Sequence, residues 1–358
     1  MLKVMRPRYY AVSTLTSTRS VRGTNLLQSY HTTTDSMVLR RGILAMSPPV
    51  LFLIFNRPNT TAQVMEAIRI AKPPRLYIAA DGPRQRPGEV ELCARARQIA
   101  TNVDWPCELK TLFRDENLGC RLSVSGALDW FFGEEDQGIV LEDDCLPSST
   151  FFPYCGELLE RYRSDNRIMC ISGNNFQRDR QVTQYSYYFS RYMHCWGWAS
   201  WRRAWELYDA EMHSWLECRR SGLLRAWGQS DDGFVEYWTA IFDSVAQGKV
   251  DTWDYQWTLT CWLNNGLTCI PNVNLVSNIG FGVQSTHTPD ANSALANLPT
   301  REMEFPIVHP RIIARCVHAD SHTHFSMFCP PSSRLARLAR KGAGLLSRVR
   351  KKPPKRAP

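Results

Sequence analysis

Hydrophobic residues in the first half of the chain alternate between continuous short runs and helical spacing. Continuous runs of β-branched and aliphatic residues are typical of buried parallel strands. Such runs occupy residues 50–55, 75–80, 107–113 and 139–141. Between them, helical spacing predicts a helix from Asn59 to the Pro73-Pro74 pair and helices over about 88–102 and 120–132. Strands that alternate with helices predict βαβ units, and hence an α/β fold with a mostly parallel sheet.

The second half keeps apolar segments but loses the regular alternation. The predicted elements are helices over about 150–163, 231–247 and 253–264 and strands over Ile168–Ser172 and Leu267–Ile270. An aromatic-rich segment, 185–205, separates them and contains Trp196-Gly-Trp198. Aromatic residues at this density are typical of a core, but their rings also stack on the apolar faces of sugars. Trp198 is therefore a candidate sugar contact, with core packing as the alternative.

The two ends of the chain differ in composition from the part between them. Residues 1–45 carry seven Lys or Arg and one acid, which is typical of a transit peptide or a disordered arm, and Met46 is a plausible alternative start. Residues 46–288 form the predicted main domain and 289–332 a Pro-rich, irregular segment. Residues 333–358 carry ten Lys or Arg and no acid, and predict either an amphipathic contact with an anionic membrane or a solvated tail.

Composition narrows the class of protein. The chain has 358 residues, of which 44% are hydrophobic and 22% charged, as in ordinary globular proteins. The formal net charge of +9 comes from the two ends, so the body between them is acidic, which argues against a nucleic-acid groove. The twelve Cys form no CxxC pair, so neither a zinc motif nor a redox motif is indicated. No apolar run reaches the roughly 20 residues that span a bilayer.

Three consecutive acids follow the predicted strand at 139–141. Glu142, Asp143 and Asp144 continue directly from Gly138-Ile-Val-Leu141. Adjacent carboxylates at the end of a buried strand repel one another and lose hydration, and a divalent cation relieves that cost. Ligands of α/β sheets bind beyond the carboxyl ends of strands, and Mg²⁺ or Mn²⁺ is held there by carboxylates and phosphate oxygens. The sequence therefore predicts a metal site at Asp143 and Asp144, with a solvated acidic turn as the alternative.

The other predicted strands also end in polar residues. The first is followed by Asn56 and Arg57, the second by Asp81, and the third by Asn117 and then Arg121. An Arg side chain can clamp a diphosphate, and an Asp can accept the N3–H of a uracil ring. Taken singly, each residue can equally be a cap or a surface group. Their shared place at strand ends predicts a nucleotide-diphosphate pocket.

Two further residues are candidates for catalysis and metal binding. Asp254 lies among aromatic residues, where burial raises a carboxylate's pKa and suits it to act as a general base, although it is equally placed to cap a helix. His287 is a candidate metal ligand, with a structural role as the alternative.

Taken together, these segments resemble the GT-A glycosyltransferases, in particular the N-acetylglucosaminyltransferase I group and its bacterial relatives. The resemblance spans about 49–288. It rests on Phe55-Asn-Arg-Pro58, Asp81-Gly82, Asn117-Leu-Gly119, Ile139-Val-Leu-Glu-Asp-Asp144, Ile171-Ser-Gly-Asn-Asn175, Trp196-Gly-Trp-Ala199 and Trp253-Asp254. It implies a Rossmann-like mixed sheet, mostly parallel, with helices on both faces.

The resemblance also implies roles for the residues at the strand ends. Asp144 would be the direct Mn²⁺ ligand, Asp143 would contact the ribose and Glu142 would lie near the donor sugar. Arg57 would contact the diphosphate and Asp81 the uracil.

On the acceptor side, the resemblance implies that Asp254 is the general base. The group has Trp-Asp-Asp-Trp where this chain has Trp-Asp-Tyr-Gln-Trp, so Asp231 and Asp232 remain alternatives. The implied enzyme is cytoplasmic, at the inner face of the membrane, and transfers a hexosyl or N-acetylhexosaminyl group from a UDP-sugar to a glycan or glycolipid hydroxyl with inversion. A sugar-1-phosphate nucleotidyltransferase and a non-catalytic sugar-binding protein are the alternatives.

Overall fold

A mixed β-sheet forms the centre of the computed structural model, which describes residues 47–178, 180–229, 231–282, 290 and 292–328. Its strands and those of a small second sheet are β1 (Val50–Ile54), β2 (Arg75–Ala80), β3 (Glu108–Phe113), β4 (Gln137–Glu142), β5 (Cys145–Pro147), β6 (Ile168–Ser172), β7 (Tyr187–Ser190), β8 (Trp198–Trp201), β9 (Leu267–Pro271) and β10 (Val276–Asn278). The main sheet has the order β3-β2-β1-β4-β8-β6-β9-β7, and β5 pairs with β10. Within the main sheet, β8 and β7 run antiparallel to their neighbours and the other described strands are parallel, so the predicted α/β class with a mostly parallel sheet is confirmed.

Helices cover both faces of this sheet. Those of the described residues are α1 (Pro58–Ala71), α2 (Glu89–Thr101), α3 (Gly119–Glu134), α4 (Phe151–Arg161), α5 (Arg202–Trp205), α6 (Trp215–Ser221), α7 (Leu223–Trp227), α8 (Asp232–Ala246), α9 (Asp254–Leu263) and α10 (Val317–Thr323), which a π-helical turn, His324–Phe328, continues. Helix α1 begins at Pro58, one residue before the predicted start at Asn59, because proline's fixed φ suits the first helical turn. None of the helices in these ranges is long and apolar enough to cross a membrane.

Alternation along the strands divides the core into two layers. Val50, Phe52 and Ile54 of β1 point into a layer filled by α1, α2 and α4, whereas Leu51 and Leu53 point into a layer filled by α3, α8 and α9. Successive side chains of a strand face opposite sides, so a strand covered on both faces must be apolar at every position. This explains the continuous apolar runs of the sequence.

The aromatic-rich segment folds into elements that the sequence did not predict. Strand β8 lies between β4 and β6 and is antiparallel to both, and β7 forms the far edge of the sheet. Every residue of both strands is buried. Since Trp and Tyr fill both faces, neither the period of a strand nor that of a helix stands out in this part of the sequence.

The segment 289–332, predicted to be irregular, contains helix α10 and packs on the sheet. Asp320 of α10 is 1% exposed and accepts hydrogen bonds from Ser190 Oγ (2.5 Å) and Arg191 N (3.2 Å) at the end of β7. The guanidinium of Arg315 completes the cluster by an ion pair with the same carboxylate. Met303 belongs to the first core layer. The predictions for 1–45 and 333–358 concern residues outside the described ranges.

Replacing Asp320 by Ala should destabilise the protein by about 3 kcal/mol, because it leaves Arg315 and the nearly buried Arg191 without their shared carboxylate. Urea unfolding measures this free energy. The matched control is Asp232→Ala, which removes an exposed carboxylate paired with Arg225 on the surface and should change stability little. Equal losses for the two variants would contradict the assigned role of Asp320.

Candidate functional site

The three consecutive acids lie at the centre of the sheet edge where the parallel strands end. Glu142 is the last residue of β4, which lies between β1 and β8. Asp143 Oδ2 accepts a hydrogen bond from Phe55 N (3.0 Å), just beyond β1. The Arg57 guanidinium lies 2.6 Å from Asp144 Oδ2 and 3.6 Å from Asp143 Oδ1. The structure thus brings together Arg57 and the acids that the sequence predicted as a metal and diphosphate site.

Negative charge exceeds positive charge at this point. Burial, followed by the charges of Asp144, Asp143 and Asp254, raises the pKa of Glu142 to about 8. Burial also raises the pKa of Asp143 to about 7, although the nearby Arg57 acts in the opposite direction. One guanidinium therefore does not balance the carboxylates, and a second cation at this place would stabilise their charged forms.

The chain after β10 closes over Asp144. Ile279 N donates to the backbone oxygen of Asp144 (2.8 Å). A Cβ atom on Gly280 would lie 2.2 Å from Asp144 Oδ2 and 2.7 Å from Arg57 Nη1, so only glycine permits this approach. The chain then continues towards His287, which lies outside the described residues, so its predicted role as a ligand stays a prediction.

The donor atoms at this edge fit a hard divalent cation. Within the described ranges, no three His, Cys, Asp or Glu side chains converge as a complete set of metal ligands. A cation that shares its coordination with phosphate oxygens needs only one or two protein carboxylates, however. Asp144 and Asp143 would supply them, and the excess negative charge there favours Mg²⁺ or Mn²⁺.

Two distant carboxylates cap the amino end of α3, beside the acids. Asp81, directly after β2, accepts hydrogen bonds from Leu118 N (3.0 Å) and Gly119 N (3.1 Å). Asp251 accepts from the next two amides of the chain, at 2.8 and 3.0 Å. Gly119 has a φ of 80°, and a Cβ there would lie 2.5 Å from Asp251 Oδ2. The unpaired amides at the start of a helix favour negative charge, so these contacts fix α3 in place.

This arrangement bears on three predicted nucleotide contacts. Asn117 Nδ2 donates to Asp81 Oδ2 (2.9 Å), so both residues shape one loop. Since both Asp81 oxygens already have partners, a bond to uracil requires exchange of one of them. The Arg121 side chain pairs with Glu211 (2.9 Å). Binding of a nucleotide by these residues stays a prediction. The sequence reasoning overlooked Asp251, because the helix that it caps lies about 130 residues earlier in the chain.

Asp254 lies close to the acids of β4. It is the first residue of α9, it is half-buried, and the Thr252 hydroxyl donates a hydrogen bond to its Oδ1. Its charge raises the pKa of Glu142 and of Cys195. The predicted base therefore lies near the predicted donor site. It also starts a helix, as the alternative prediction for this residue expected.

The alternative bases have other local partners. Asp231 caps α8 by accepting a hydrogen bond from Phe234 N (3.1 Å). Asp232 is exposed and forms an ion pair with Arg225 (3.0 Å). The acids whose charges act on Glu142 are Asp144, Asp143 and Asp254. Asp254 is thus the candidate that the geometry favours.

The position of Trp198 corrects one predicted contact. Its side chain is 0% exposed and stacks on Trp253, with ring centroids 5.5 Å apart, so it fills the second core layer and leaves no face for a sugar. Trp196 is half-buried, and its ring lies 5.7 Å from Phe281 and 5.2 Å from Phe176. Trp196 is therefore the aromatic residue of this motif that remains available to a ligand.

No family model and no curated protein matches the sequence. Among solved structures, a mannosyltransferase from Pyrobaculum calidifontis in complex with GDP-Man and Mn²⁺ matches at 12% identity and a TM-score of 0.29, over 48% of this chain and 52% of that one. Glucosyl-3-phosphoglycerate synthase from Mycobacterium tuberculosis, in complex with Mn²⁺, UDP and glucosyl-3-phosphoglycerate, matches at 14% identity and a TM-score of 0.28, over 50% of this chain and 64% of that one. A UDP-glucose pyrophosphorylase complexed with UDP-glucose matches at 11% identity and a TM-score of 0.24, over 40% of this chain and 62% of that one. The matches span about half to two thirds of those chains, and at such TM-scores they assign neither family nor activity.

Replacing Gly280 by Ala should weaken the binding of a divalent cation at least tenfold, because the added methyl group displaces Asp144 or Arg57. Titration calorimetry with Mn²⁺ measures the change. The matched control is Gly133→Ala in α3, where a Cβ meets nothing within 4 Å. If Gly280→Ala binds Mn²⁺ as the control does, Asp144 is not the ligand.

Proposed function

We propose that this protein is a metal-dependent glycosyltransferase of the GT-A type, which transfers a sugar from a nucleotide-diphosphate donor, UDP in our hypothesis, to a glycan or glycolipid hydroxyl. One observation carries the proposal: an Arg–Asp–Asp cluster with excess negative charge lies at the carboxyl ends of β1 and β4, and a further acid, Asp254, lies near enough for its charge to act on Glu142. The central part of a doubly wound sheet edge is where such folds bind nucleotides.

The donor side consists of Arg57, Asp143 and Asp144. A divalent cation held by Asp144 and Asp143 would neutralise the diphosphate as its bond to the sugar breaks. Arg57 would pair with the same phosphates, exchanging its present contact with Asp144 for phosphate oxygens. The uracil preference rests on Asp81, which would accept the base N3–H in place of the Asn117 amide.

On the acceptor side, Asp254 would act as general base. The Thr252 hydroxyl fixes one of its carboxylate oxygens, which leaves the other oxygen to take a proton. The acceptor hydroxyl gives that proton to Asp254 while its oxygen forms a bond to the anomeric carbon. The bond from this carbon to the diphosphate oxygen breaks, and the electron pair leaves with the diphosphate. Attack from the opposite face inverts the anomeric configuration, through an oxocarbenium-like transition state.

The local geometry after β1 fits this function better than nucleotidyl transfer. A sugar-1-phosphate nucleotidyltransferase is expected to carry a Gly-rich loop there. In this protein α1 begins at Pro58, four residues after Ile54 ends β1, and the connection contains no glycine. A cluster of carboxylates with a further acid, Asp254, nearby is also more than a non-catalytic sugar-binding protein requires.

Nucleotide binding provides the direct test. In the presence of Mn²⁺, UDP should raise the melting temperature of the protein, and GDP, CDP and ADP should raise it less, because only uracil offers N3–H to Asp81 beside a free carbonyl on each side. EDTA should abolish the shift, since without the cation the carboxylates repel the diphosphate and UDP does not bind. Absence of a shift with all four nucleotides would refute the transferase proposal, and a shift with another nucleotide would refute the choice of UDP.

Replacing Asp254 by Asn should lower the turnover number at least a hundredfold while leaving Mn²⁺-dependent UDP binding unchanged, because the amide cannot take the acceptor proton. Sugar transfer from the UDP-sugar identified in a donor panel measures turnover, and calorimetry measures UDP affinity. Asp232→Asn, at the start of α8, is the matched control. The assignment fails if Asp254→Asn keeps the wild-type rate, or if Asp232→Asn loses as much.

A further inference from the structure

A cavity of about 210 Å³, here named the side cavity, lies apart from the acids. Apolar, hydroxyl and cationic groups all contribute to its walls, which include Phe176, Leu298, Met327, Ser293, Ser326 and Arg178. A concavity that combines apolar side chains with polar groups able to orient a ligand is typical of a small-molecule site. The proposed donor and base residues are not part of it.

A row of aromatic rings connects the side cavity with the acids. Phe176, in the cavity wall, lies 5.2 Å from Trp196, and Trp196 lies 5.7 Å from Phe281, measured between ring centroids. Phe281 directly follows Gly280, which packs against Asp144. The side cavity is therefore two ring contacts away from the chain that covers the proposed metal ligand, within the reach of a ligand of a few sugar rings.

Positive charge collects near the side cavity, where Arg178 belongs to the wall and Arg180 follows two residues later. Arg178 is exposed and has a φ of 57°, a strained value for a residue other than glycine, which marks a conformation held by its surroundings. Its guanidinium forms no hydrogen bond or ion pair with another described residue. Arg180 Nη2 lies 2.8 Å from His318 Nε2 and Arg180 Nη1 lies 3.0 Å from His322 Nδ1.

The contacts of Arg180 define the charge of this cluster. A guanidinium has only donors, so both imidazole nitrogens act as acceptors. Burial, followed by the charges of Arg180, His318 and Arg178, lowers the pKa of His322, and every neighbour that acts on it is basic. Asp290, in the chain leading to the cavity wall, accepts a hydrogen bond from Asn292 N in its own turn. The cluster thus presents two guanidinium groups whose charges are not balanced by a described acid.

We propose that the side cavity is an acceptor subsite for a glycan that carries an anionic group, either a carboxylate or a phosphate. Arg178 would pair with the anion, Phe176 would pack against the apolar face of its sugar ring, and Ser293 and Ser326 would bond its hydroxyls. The next sugar would extend along the aromatic row towards Asp254. The direction in which the glycan extends rests on the proposed transferase function. The binding of its anionic group rests on the side cavity alone.

Three small probes test the subsite in the full-length protein: methyl β-glucuronide, glucose 6-phosphate and the neutral methyl β-glucoside, each titrated by calorimetry. At least one charged probe should bind about tenfold more tightly than the neutral probe, because one charge-assisted hydrogen bond is worth about that factor. Preference for the glucuronide would identify a uronic acid as the acceptor sugar, and preference for the phosphate a phosphorylated sugar. Equal binding of all three probes would overturn the proposal.

Variants locate the binding and separate it from the proposed function. Arg178→Gln should abolish the preference for the charged probe, whereas Arg163→Gln, an exposed arginine beyond α4, should keep it. If Arg178→Gln keeps the preference, the subsite lies elsewhere and the proposal is wrong. The UDP melting shift is measured on the same samples. A normal shift without charge preference overturns the subsite alone, and charge preference without a shift overturns the transferase function while the anion site stands.

Discussion

The burial of Glu142, Asp143 and Asp144 next to a single arginine is the constraint on which the rest of the site depends. Carboxylates that leave water must be paired or must take up protons, and here the pKa values of two of them rise instead of falling. The surrounding chain reduces this cost with one guanidinium, that of Arg57, and one amide, that of Phe55. Neutral residues at the end of β4 would avoid this cost, so the presence of three acids there favours a ligand of opposite charge.

The amino end of α3 holds the two sides of the site in one frame. Asp81 comes from the end of β2, on the side that we assign to the donor, and Asp251 comes from the chain that leads into α9. Three residues after Asp251, the same chain supplies Asp254. The distance between the proposed base and the acids of β4 therefore depends on a helix terminus that takes part in neither role.

The first half of the fold could be predicted from the sequence because its strands are covered on both faces and stand out as continuous apolar runs. The position of Arg57, Asp143 and Asp144 at the ends of these strands could be predicted for the same reason, whereas their roles as ligands stay predictions. Trp198 was predicted as a sugar contact although it is buried, because Trp196 and Trp198 are both large aromatics and only the register of β8 with β4 and β6 decides which ring is buried. Asp251 was missed since its partners lie about 130 residues earlier in the chain.

The distribution of tryptophan gives the protein an internal optical reporter. Trp198, Trp205, Trp253 and Trp257 form a buried cluster behind the site, where water does not reach them, and their emission depends on the integrity of the second core layer. Trp196, in contrast, contacts Phe281 in the chain that covers Asp144. A paramagnetic ion bound nearby would quench this one ring preferentially, so occupancy of the site could be followed in the unlabelled molecule while the remaining emission reports on its folding.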